Sequence, residues 1–192
     1  MSENLPRLIG ISGSLRRESY NSAVLKALAD RVADRATLVL HPLTDVPLYN
    51  QDEDGDTPPA GVTALRDAVR QAEGLVIATP EYNYGVSGVL KNALDWLSRP
   101  HGKSVLTTKP VTTLTTSPAF TGGARAHAQL NEALTATGAL LVLRPQAVIP
   151  AVHQKMTDGK FTDESTLGFL DQAVSDLLRN IRVREEIVRQ AL

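Results

Sequence analysis

The sequence predicts an α/β domain of the doubly wound, three-layer type, in which helices cover both faces of a five-stranded parallel sheet. Two patterns favour this fold. Five short apolar segments alternate with five segments of helical periodicity along the 192-residue chain. Each apolar segment is hydrophobic throughout, which is typical of a strand buried on both faces of its sheet. Strands that are separated by helices pair in parallel, so the order of the segments also indicates this architecture.

The predicted elements follow one another without a linker or an internal repeat, and we expect a single domain spanning residues 1–192. A long acidic loop is predicted at 44–61, and an exposed hairpin or loop at 155–165. The predicted strands cover residues 7–12, 36–43, 74–80, 110–117 and 139–150, the last being a strand with an extension. The predicted helices cover residues 22–33, with a start near residue 20, and then 62–72, 88–97, 123–137 and 163–188.

Composition excludes several classes of function. The net charge of -1 gives no overall attraction to nucleic acid, and the basic cluster at 182–189 contains glutamates, which favours a solvated helix face. The chain has no cysteine, which excludes disulfides and thiolate catalysis, and its four histidines lack the spacing of a zinc site. No signal-peptide pattern and no apolar run of roughly 20 residues is present. We therefore expect a cytoplasmic protein without a metal site.

Polar residues follow the first predicted strand in the segment "SGSLRRESYN", residues 12–21, here called the first loop. Ligands of doubly wound sheets bind beyond the carboxyl ends of the strands, and a helix N-terminus attracts anions. Serine hydroxyls, an asparagine amide and an arginine add donors for phosphate oxygens. The spacing matches neither the P-loop nor the dinucleotide fingerprint. These features predict a pocket for a terminal phosphomonoester; the alternative is that Ser19 is only an N-cap in a polar turn.

A second polar segment, "TPEYNYGVSG" at residues 79–88, follows the third predicted strand and is here called the second loop. Tyr82 and Tyr84 lie there, although the chain has only one Trp, four Tyr and three Phe. Aromatic faces and accessible backbone groups suit a flat polar heterocycle. The alternative is that one tyrosine packs against a helix end, and Glu81 is expected to be structural. A phosphomonoester pocket and a ring platform together describe flavin mononucleotide (FMN).

The segments "GSLRRESYN" and "PEYNYGVSGVLKNALDWLSRP" resemble the NADPH-dependent FMN reductase family, which has a flavodoxin-like fold. The similarity extends over nearly the whole chain, and the sequence looks most like the quinone and chromate reductase branch. The resemblance implies that Leu15 and Tyr20 lie beside the phosphate, and that Ser117 lies near the ring or the ribityl chain. It implies phosphate ligands at Ser12, Ser14, Arg16, Ser19 and Asn21, and ring contacts, mainly through backbone, at Pro80, Glu81, Tyr82, Asn83 and Tyr84.

The resemblance also implies an activity: an FMN-dependent oxidoreductase that takes hydride from NADPH or NADH and passes electrons to quinones, flavins, azo compounds or chromate-like acceptors. No catalytic side chain is implied, because the cofactor carries the chemistry. The main alternative is a flavodoxin-type electron carrier without NAD(P)H activity, and a non-enzymatic flavin sensor is a third. Such carriers are usually strongly acidic, which the net charge of -1 does not match.

Assembly is the last expectation from the resemblance: a homodimer in which a second subunit covers the flavin, with a homotetramer as a further state. Trp96 on the third helix is a candidate for the apolar contact surface; the alternative is that it faces the core of its own chain. Many family members have proline where this chain has Ser87, which can serve as an N-cap. Some tetrameric relatives pair the arginine at position 125 with a glutamate at position 146, where this chain has Gln146, so we expect a weaker tetramer.

Overall fold

The computed structural model describes residues 5–190, and it has helices on both faces of a central sheet. Five helices follow one another along the chain: α1 (Tyr20–Arg31), α2 (Ala60–Gln71), α3 (Gly88–Leu97), α4 (Ala124–Ala136) and α5 (Glu164–Gln190). The sheet contains β1 (Arg7–Ser12), β2 (Thr37–His41), β3 (Gly74–Thr79), β6 (Pro110–Thr116), β7 (Leu140–Leu141) and β8 (Ala147–Ile149). Two hairpins lie outside it: β4 (Glu81–Tyr82) with β5 (Gly85–Val86), and β9 (Met156–Thr157) with β10 (Lys160–Phe161).

The sheet has the predicted doubly wound order, and all its pairings are parallel. The strands run β2-β1-β3-β6, and both β7 and β8 pair with β6 on its free side. The fifth position is therefore shared by two short strands, where the sequence predicted one strand with an extension. Pro145 lies between them and has no N–H to donate to a neighbouring strand. The five-stranded parallel sheet predicted from the sequence is confirmed.

Two apolar clusters form the core, one on each face of the sheet. One cluster joins the sheet to α1 and α5, and the other joins it to α2, α3 and α4. Trp96 is completely buried, and its indole N–H donates to the carbonyl of Pro47 at 2.8 Å. The proposal that Trp96 forms an apolar contact surface for a second subunit is therefore wrong, because the side chain packs within its own chain. Leu94 and Leu97, its neighbours on α3, are buried as well.

Hydrogen bonds and one ion pair attach the acidic loop, residues 44–59, to α2 and α3. Asn92 on α3 donates to the carbonyl of Pro47 at 2.8 Å and accepts from the N–H of Tyr49 at 2.7 Å. Arg66 on α2 is only 8% exposed, and its guanidinium donates to Asp54 at 2.7 Å. A short 3-10 helix at Gln51–Glu53 is the one regular element among these residues. The loop thus has little regular structure, but its backbone at Pro47 and Tyr49 and the charge of Asp54 are paired.

The segment before α5 forms the predicted exposed hairpin. Asp158 and Gly159 both have positive φ, 49° and 75°, which suits the two-residue turn between β9 and β10. At the hairpin base, the ammonium of Lys155 donates to Asp163 at 2.8 Å, and this bond with those from Thr166 lowers the pKa of Asp163 to about 2. Within residues 5–190, no helix has both the length and the apolar character needed to cross a membrane.

Candidate functional site

The first and second loops meet at the carboxyl edge of the sheet and enclose a cavity of about 160 Å³. They meet because β1 and β3 are neighbours in the sheet, and β6 pairs with β3 on its other side. The ends of three adjacent parallel strands therefore converge, as expected for a ligand site in this class of sheet. The cavity is lined by Ser14, Arg16, Ser19, Tyr20, Asn21, Pro80, Glu81, Tyr82, Thr116, Ser117 and Pro118.

The first loop places several polar groups around the N-terminus of α1. Ser19 is the N-cap, and its hydroxyl accepts the N–H of Ser22 at 3.3 Å. The hydroxyl of Ser22 in turn donates to that of Ser12 at 2.9 Å, which leaves the Ser12 proton free to donate. Asn21 is only 3% exposed, and its Oδ1 has no hydrogen-bond partner within residues 5–190. An amide oxygen only accepts hydrogen bonds, so a ligand satisfies Oδ1 through a hydroxyl or an N–H, whereas a phosphate requires the amide to be turned so that its NH2 faces the phosphate.

Arg16, and not Arg17, lines this cavity. The Arg16 side chain is 56% exposed, lies 3.7 Å from the carboxylate of Glu18 and stacks 5.3 Å from the ring centre of Tyr20. Both contacts are weak in water, so the guanidinium can turn to an anion without a large loss. The structure thus distinguishes two adjacent arginines that the sequence alone presents as equivalent.

Ser87 and Gly13 hold the two loops together. The Ser87 hydroxyl donates to the carbonyl of Gly13 at 2.6 Å and accepts the N–H of Leu90 at 3.3 Å. Ser87 is therefore the N-cap of α3, which confirms the role expected for serine at this position. A Cβ on Gly13 would lie 2.8 Å from the Ser87 oxygen and 3.0 Å from the Thr79 oxygen. Only glycine allows this approach without displacing the two side chains.

The second loop forms the β4–β5 hairpin, which the sequence did not predict. Asn83 and Tyr84 occupy its turn with φ values of 50° and 65°. Asparagine tolerates this left-handed conformation, whereas a bulky tyrosine adopts it only when its surroundings impose it. Tyr82 and Tyr84 are 57% and 67% exposed, so their rings are available at the surface. A strained turn that presents exposed aromatic rings is a feature of a binding site more than of a core.

Contacts with α4 impose the shape of the second loop. Glu81 accepts the N–H groups of Arg125 and Ala126 at 2.9 and 3.0 Å and so caps α4, whose own N-cap is a glycine. The guanidinium of Arg125 lies 4.2 Å from the ring centre of Tyr84. Gln129 accepts the N–H of Val86 at 3.1 Å. Glu81 thus has a structural role in helix capping, as expected from the sequence.

Not every predicted residue lines the cavity. Ser12 and Leu15 line an adjoining depression on the β2 side of the first loop, and Asn83 and Tyr84 lie in the hairpin turn beyond the cavity wall. Thr116 and Pro118 line the cavity but were missed from the sequence. Their position beside Ser117, at the end of β6, was the signal that could have identified them. Thr116 is 2% exposed, and its hydroxyl has no hydrogen-bond partner within residues 5–190.

The residues at this site fit FMN. Hydroxyl, amide and guanidinium donors surround the α1 N-terminus, where a terminal phosphate is favoured. The unpartnered polar atoms of Asn21 and Thr116 lie within the same walls. Exposed tyrosines and backbone groups of the second loop offer a surface for a flat ring. Among residues 5–190, no group of three or more His, Cys, Asp or Glu side chains is placed to hold a metal ion.

Comparisons with known proteins agree with this geometry. The family model described as NADPH-dependent FMN reductase matches residues 6–154. A quinone reductase of Escherichia coli is 40% identical to the chain, over 88% of this chain and 92% of its own length. An NAD(P)H-dependent FMN reductase of Pseudomonas aeruginosa is 35% identical, over 92% and 95%. The solved structure of a flavoenzyme NAD(P)H:(acceptor) oxidoreductase from Paracoccus denitrificans superposes with a TM-score of 0.83 at 33% identity, covering 93% of this chain and 98% of that one.

Proposed function

We propose that this chain, which belongs to the NADPH-dependent FMN reductase family, oxidises NAD(P)H with bound FMN and reduces a quinone or a related small acceptor. The observation that carries the proposal is the single cavity in which donors of the first loop face Tyr82 of the second loop. Quinone reductases among the relatives support a quinone as the acceptor. Flavins, azo compounds and chromate-like anions are further candidates of the same reaction class.

The residues have distinct tasks in this proposal. Ser14, Arg16, Ser19 and Asn21 bind the phosphate, and the N–H groups of the first turn of α1 add the helix dipole. The backbone of the second loop positions the ring, and the cap by Glu81 keeps that backbone in place. FMN, when bound to these residues, would supply the redox chemistry that carries two electrons from NAD(P)H to the acceptor. The exposed rings of Tyr82 and Tyr84 leave the approach to the ring platform open to substrates.

Anaerobic mixing with NADPH tests the activity. The purified holoprotein is expected to lose its visible flavin absorbance rapidly, and a quinone should restore the absorbance. A protein that binds FMN but is not reduced by NADPH or NADH would instead be an electron carrier of the flavodoxin type. That outcome would contradict the proposed function while leaving the FMN site intact.

Cofactor identity is tested by heating the holoprotein and separating the released flavin by chromatography. We expect one non-covalent FMN per chain and poor binding of FAD, because the phosphate ligands surround a terminal phosphomonoester. FAD as the dominant species would contradict the assignment of the first loop.

We further propose that a homodimer is the minimal active unit. Exposed aromatic side chains beside the cavity support this proposal. Phe120, in the loop after β6, is 91% exposed, and Tyr82 and Tyr84 are 57% and 67% exposed. A second copy of the chain that packs beside these rings would form one wall of the flavin site and leave the face of the flavin open to substrates. Arg125 is already stacked on Tyr84, and Gln146 offers no carboxylate, so a tetramer should be weaker than in relatives that have glutamate there.

Sedimentation at several protein concentrations, combined with activity, tests the assembly. A fully active monomer would contradict the shared site, and a tetramer stable at nanomolar concentration would show that position 146 does not control the second interface.

We also propose a cytoplasmic location, because the co-substrate NAD(P)H is supplied there; cell fractionation with an antibody tests this.

A further inference from the structure

A second, larger cleft adjoins the candidate cofactor cavity, and most of its lining lies outside the FMN site. Its volume is about 410 Å³, within the range of small-molecule sites. One wall is α1 with the first loop, and the other is the 3-10 helix at Val152–Lys155 with the β9–β10 hairpin. The two cavities share Arg16, Ser19 and Tyr20, so the cleft begins where the FMN phosphate site ends, and a ligand bound in it lies beside FMN.

The cleft is rich in cations that have no carboxylate partner. Arg17 and Lys26 line it, and neither forms an ion pair with any residue between 5 and 190. Glu18 is the one acid in its lining, and it lies 3.7 Å from Arg16. By contrast Arg31, farther along the same helix, pairs with Glu164 at 2.9 Å. Unpaired cations beside a cleft create a positive potential that favours a dianionic ligand.

The rest of the lining suits a nucleoside. Ala23 and Met156 provide apolar surface, and the Ser22 hydroxyl and the backbone at Gly159 provide polar edges. An apolar floor with a few polar groups is typical of nucleoside-sized ligands, and adjacent arginine and lysine favour a phosphate on them.

We propose that this cleft binds the adenosine 2′-phosphate of NADPH, with Arg17 and Lys26 as the phosphate ligands. The proposal rests on the proposed function, because it assigns the co-substrate of the same reaction. It predicts a preference for NADPH over NADH, since only NADPH has that phosphate. The terminal phosphate of FMN has the same chemistry and binds nearby. The test must therefore distinguish a loss of 2′-phosphate binding from a loss of FMN binding.

Lys26→Ala is the informative variant, because Lys26 is exposed and does not line the FMN cavity. The ratio of kcat/KM for NADPH to that for NADH is expected to fall about tenfold, the usual effect of losing one charge-assisted phosphate contact. Affinity for FMN should stay within about twofold of the parent protein. Lys103→Ala is the matched control, since Lys103 is also an exposed lysine but precedes β6 at the opposite edge of the sheet.

Three results would overturn the proposal: equal losses with NADPH and NADH, an unchanged ratio, or a loss of FMN affinity in Lys26→Ala. Calorimetric titration with 2′,5′-ADP and with 5′-ADP provides a second test that needs no turnover. The holoprotein should bind 2′,5′-ADP more tightly than 5′-ADP, and Lys26→Ala should abolish the difference. If the protein oxidises neither dinucleotide, the proposed function fails, and this titration still decides whether the cleft is a 2′-phosphate site.

Discussion

The first loop and the second loop border the same cavity but are held in different ways. In the first loop, the side chains from Leu15 to Glu18 are exposed and make few contacts with the rest of the chain. In the second loop, Glu81, the backbone of Val86 and the ring of Tyr84 are all fixed by residues of α4. Groups that must donate to a phosphate need free hydrogen-bonding capacity, whereas a platform for a flat ring needs a fixed backbone. The contrast therefore predicts that substitutions at residues 15–18 of the first loop affect binding, and that substitutions of the fixed groups of the second loop affect stability.

Arg16→Ala should have the largest effect, and it should be on binding alone. Loss of a charge-assisted contact worth about 1.5–3 kcal/mol should weaken FMN binding by about 10- to 150-fold. The free energy of unfolding of the apoprotein should barely change, because the Arg16 side chain is 56% exposed. Fluorescence titration of FMN and denaturation in urea measure the two quantities. Arg17→Ala is the matched control, and a larger binding loss in that variant would show that the arginines have been assigned in the wrong order.

Glu81→Ala should show the opposite pattern. The N–H groups of Arg125 and Ala126 lose their acceptor, and removal of a helix cap typically costs about 1–2 kcal/mol of stability. Urea denaturation of the apoprotein is expected to show this loss. Glu132→Ala on the exposed face of the same helix is the control and should change stability by less than about 0.5 kcal/mol. If Glu81→Ala instead weakened FMN binding as much as Arg16→Ala and left stability unchanged, the two loops would not differ in this way.

Tyr84→Gly should separate strain from function within the second loop. The change places glycine directly after Asn83, and Asn-Gly is the dipeptide that best suits a two-residue hairpin turn with positive φ at both positions. We expect relief of strain to raise the free energy of unfolding of the apoprotein by about 0.5–1 kcal/mol. Loss of the stacking of Arg125 on the tyrosine ring reduces this gain. Turnover of NAD(P)H should fall, because one ring of the platform is lost. A destabilised variant would show that the contact with Arg125 outweighs the strain.

The smallest expected effect is on pH dependence and concerns the helix that supports the second loop. His127 is 3% exposed on α4, and burial lowers its pKa from 6.5. The unfolded chain therefore binds a proton more readily, so stability should be constant above about pH 6.5 and fall as the pH decreases below it. The loss attributable to His127 should be at most about 0.7 kcal/mol between pH 7 and pH 6.

Urea denaturation at pH 7 and pH 6 measures this effect, with His127→Gln as the comparison. The variant should have a shallower pH dependence, and the remainder is expected from His41, whose pKa is also lowered by burial. Equal pH dependence in both proteins would show that His127 does not couple to folding. Hydrogen exchange at pH 6 should place the loosened amides in α4 and the second loop, and not in the first loop.

The sequence predicted the features of the fold that depend on local patterns. Strand ends, helix stripes and the density of donors in the first loop are all visible within about ten residues of chain. The cap by Glu81 was expected only as an unspecified structural role, because its partners Arg125 and Ala126 are more than forty residues away. The β4–β5 hairpin was missed since Asn-Tyr is a weak turn signal, and its shape depends on α4.

Trp96 shows a second feature that the sequence did not determine, namely the direction in which a helix side chain faces. A large aromatic side chain near one edge of an amphipathic helix is compatible with the core or with an interface, and periodicity does not distinguish them. Its burial depends on the acidic loop, which supplies Pro47 as the acceptor and Tyr49 as an edge-on neighbour with ring centres 4.9 Å apart. A loop that sequence patterns describe only as acidic and irregular thus decides which way the tryptophan faces.

The attachment of the acidic loop to α2 and α3 also has a consequence for proteolysis. Proteases require several extended residues of substrate to enter their active site, and long surface loops are usually the first place they cut. Here Asn92 holds the backbone at Pro47 and Tyr49, and Arg66 holds Asp54, so cleavage near Leu48 must wait until these bonds open together. Although Leu48 is 84% exposed, the loop should resist thermolysin on the time scale of global unfolding, and resistance to nicking would report directly on the integrity of α2 and α3.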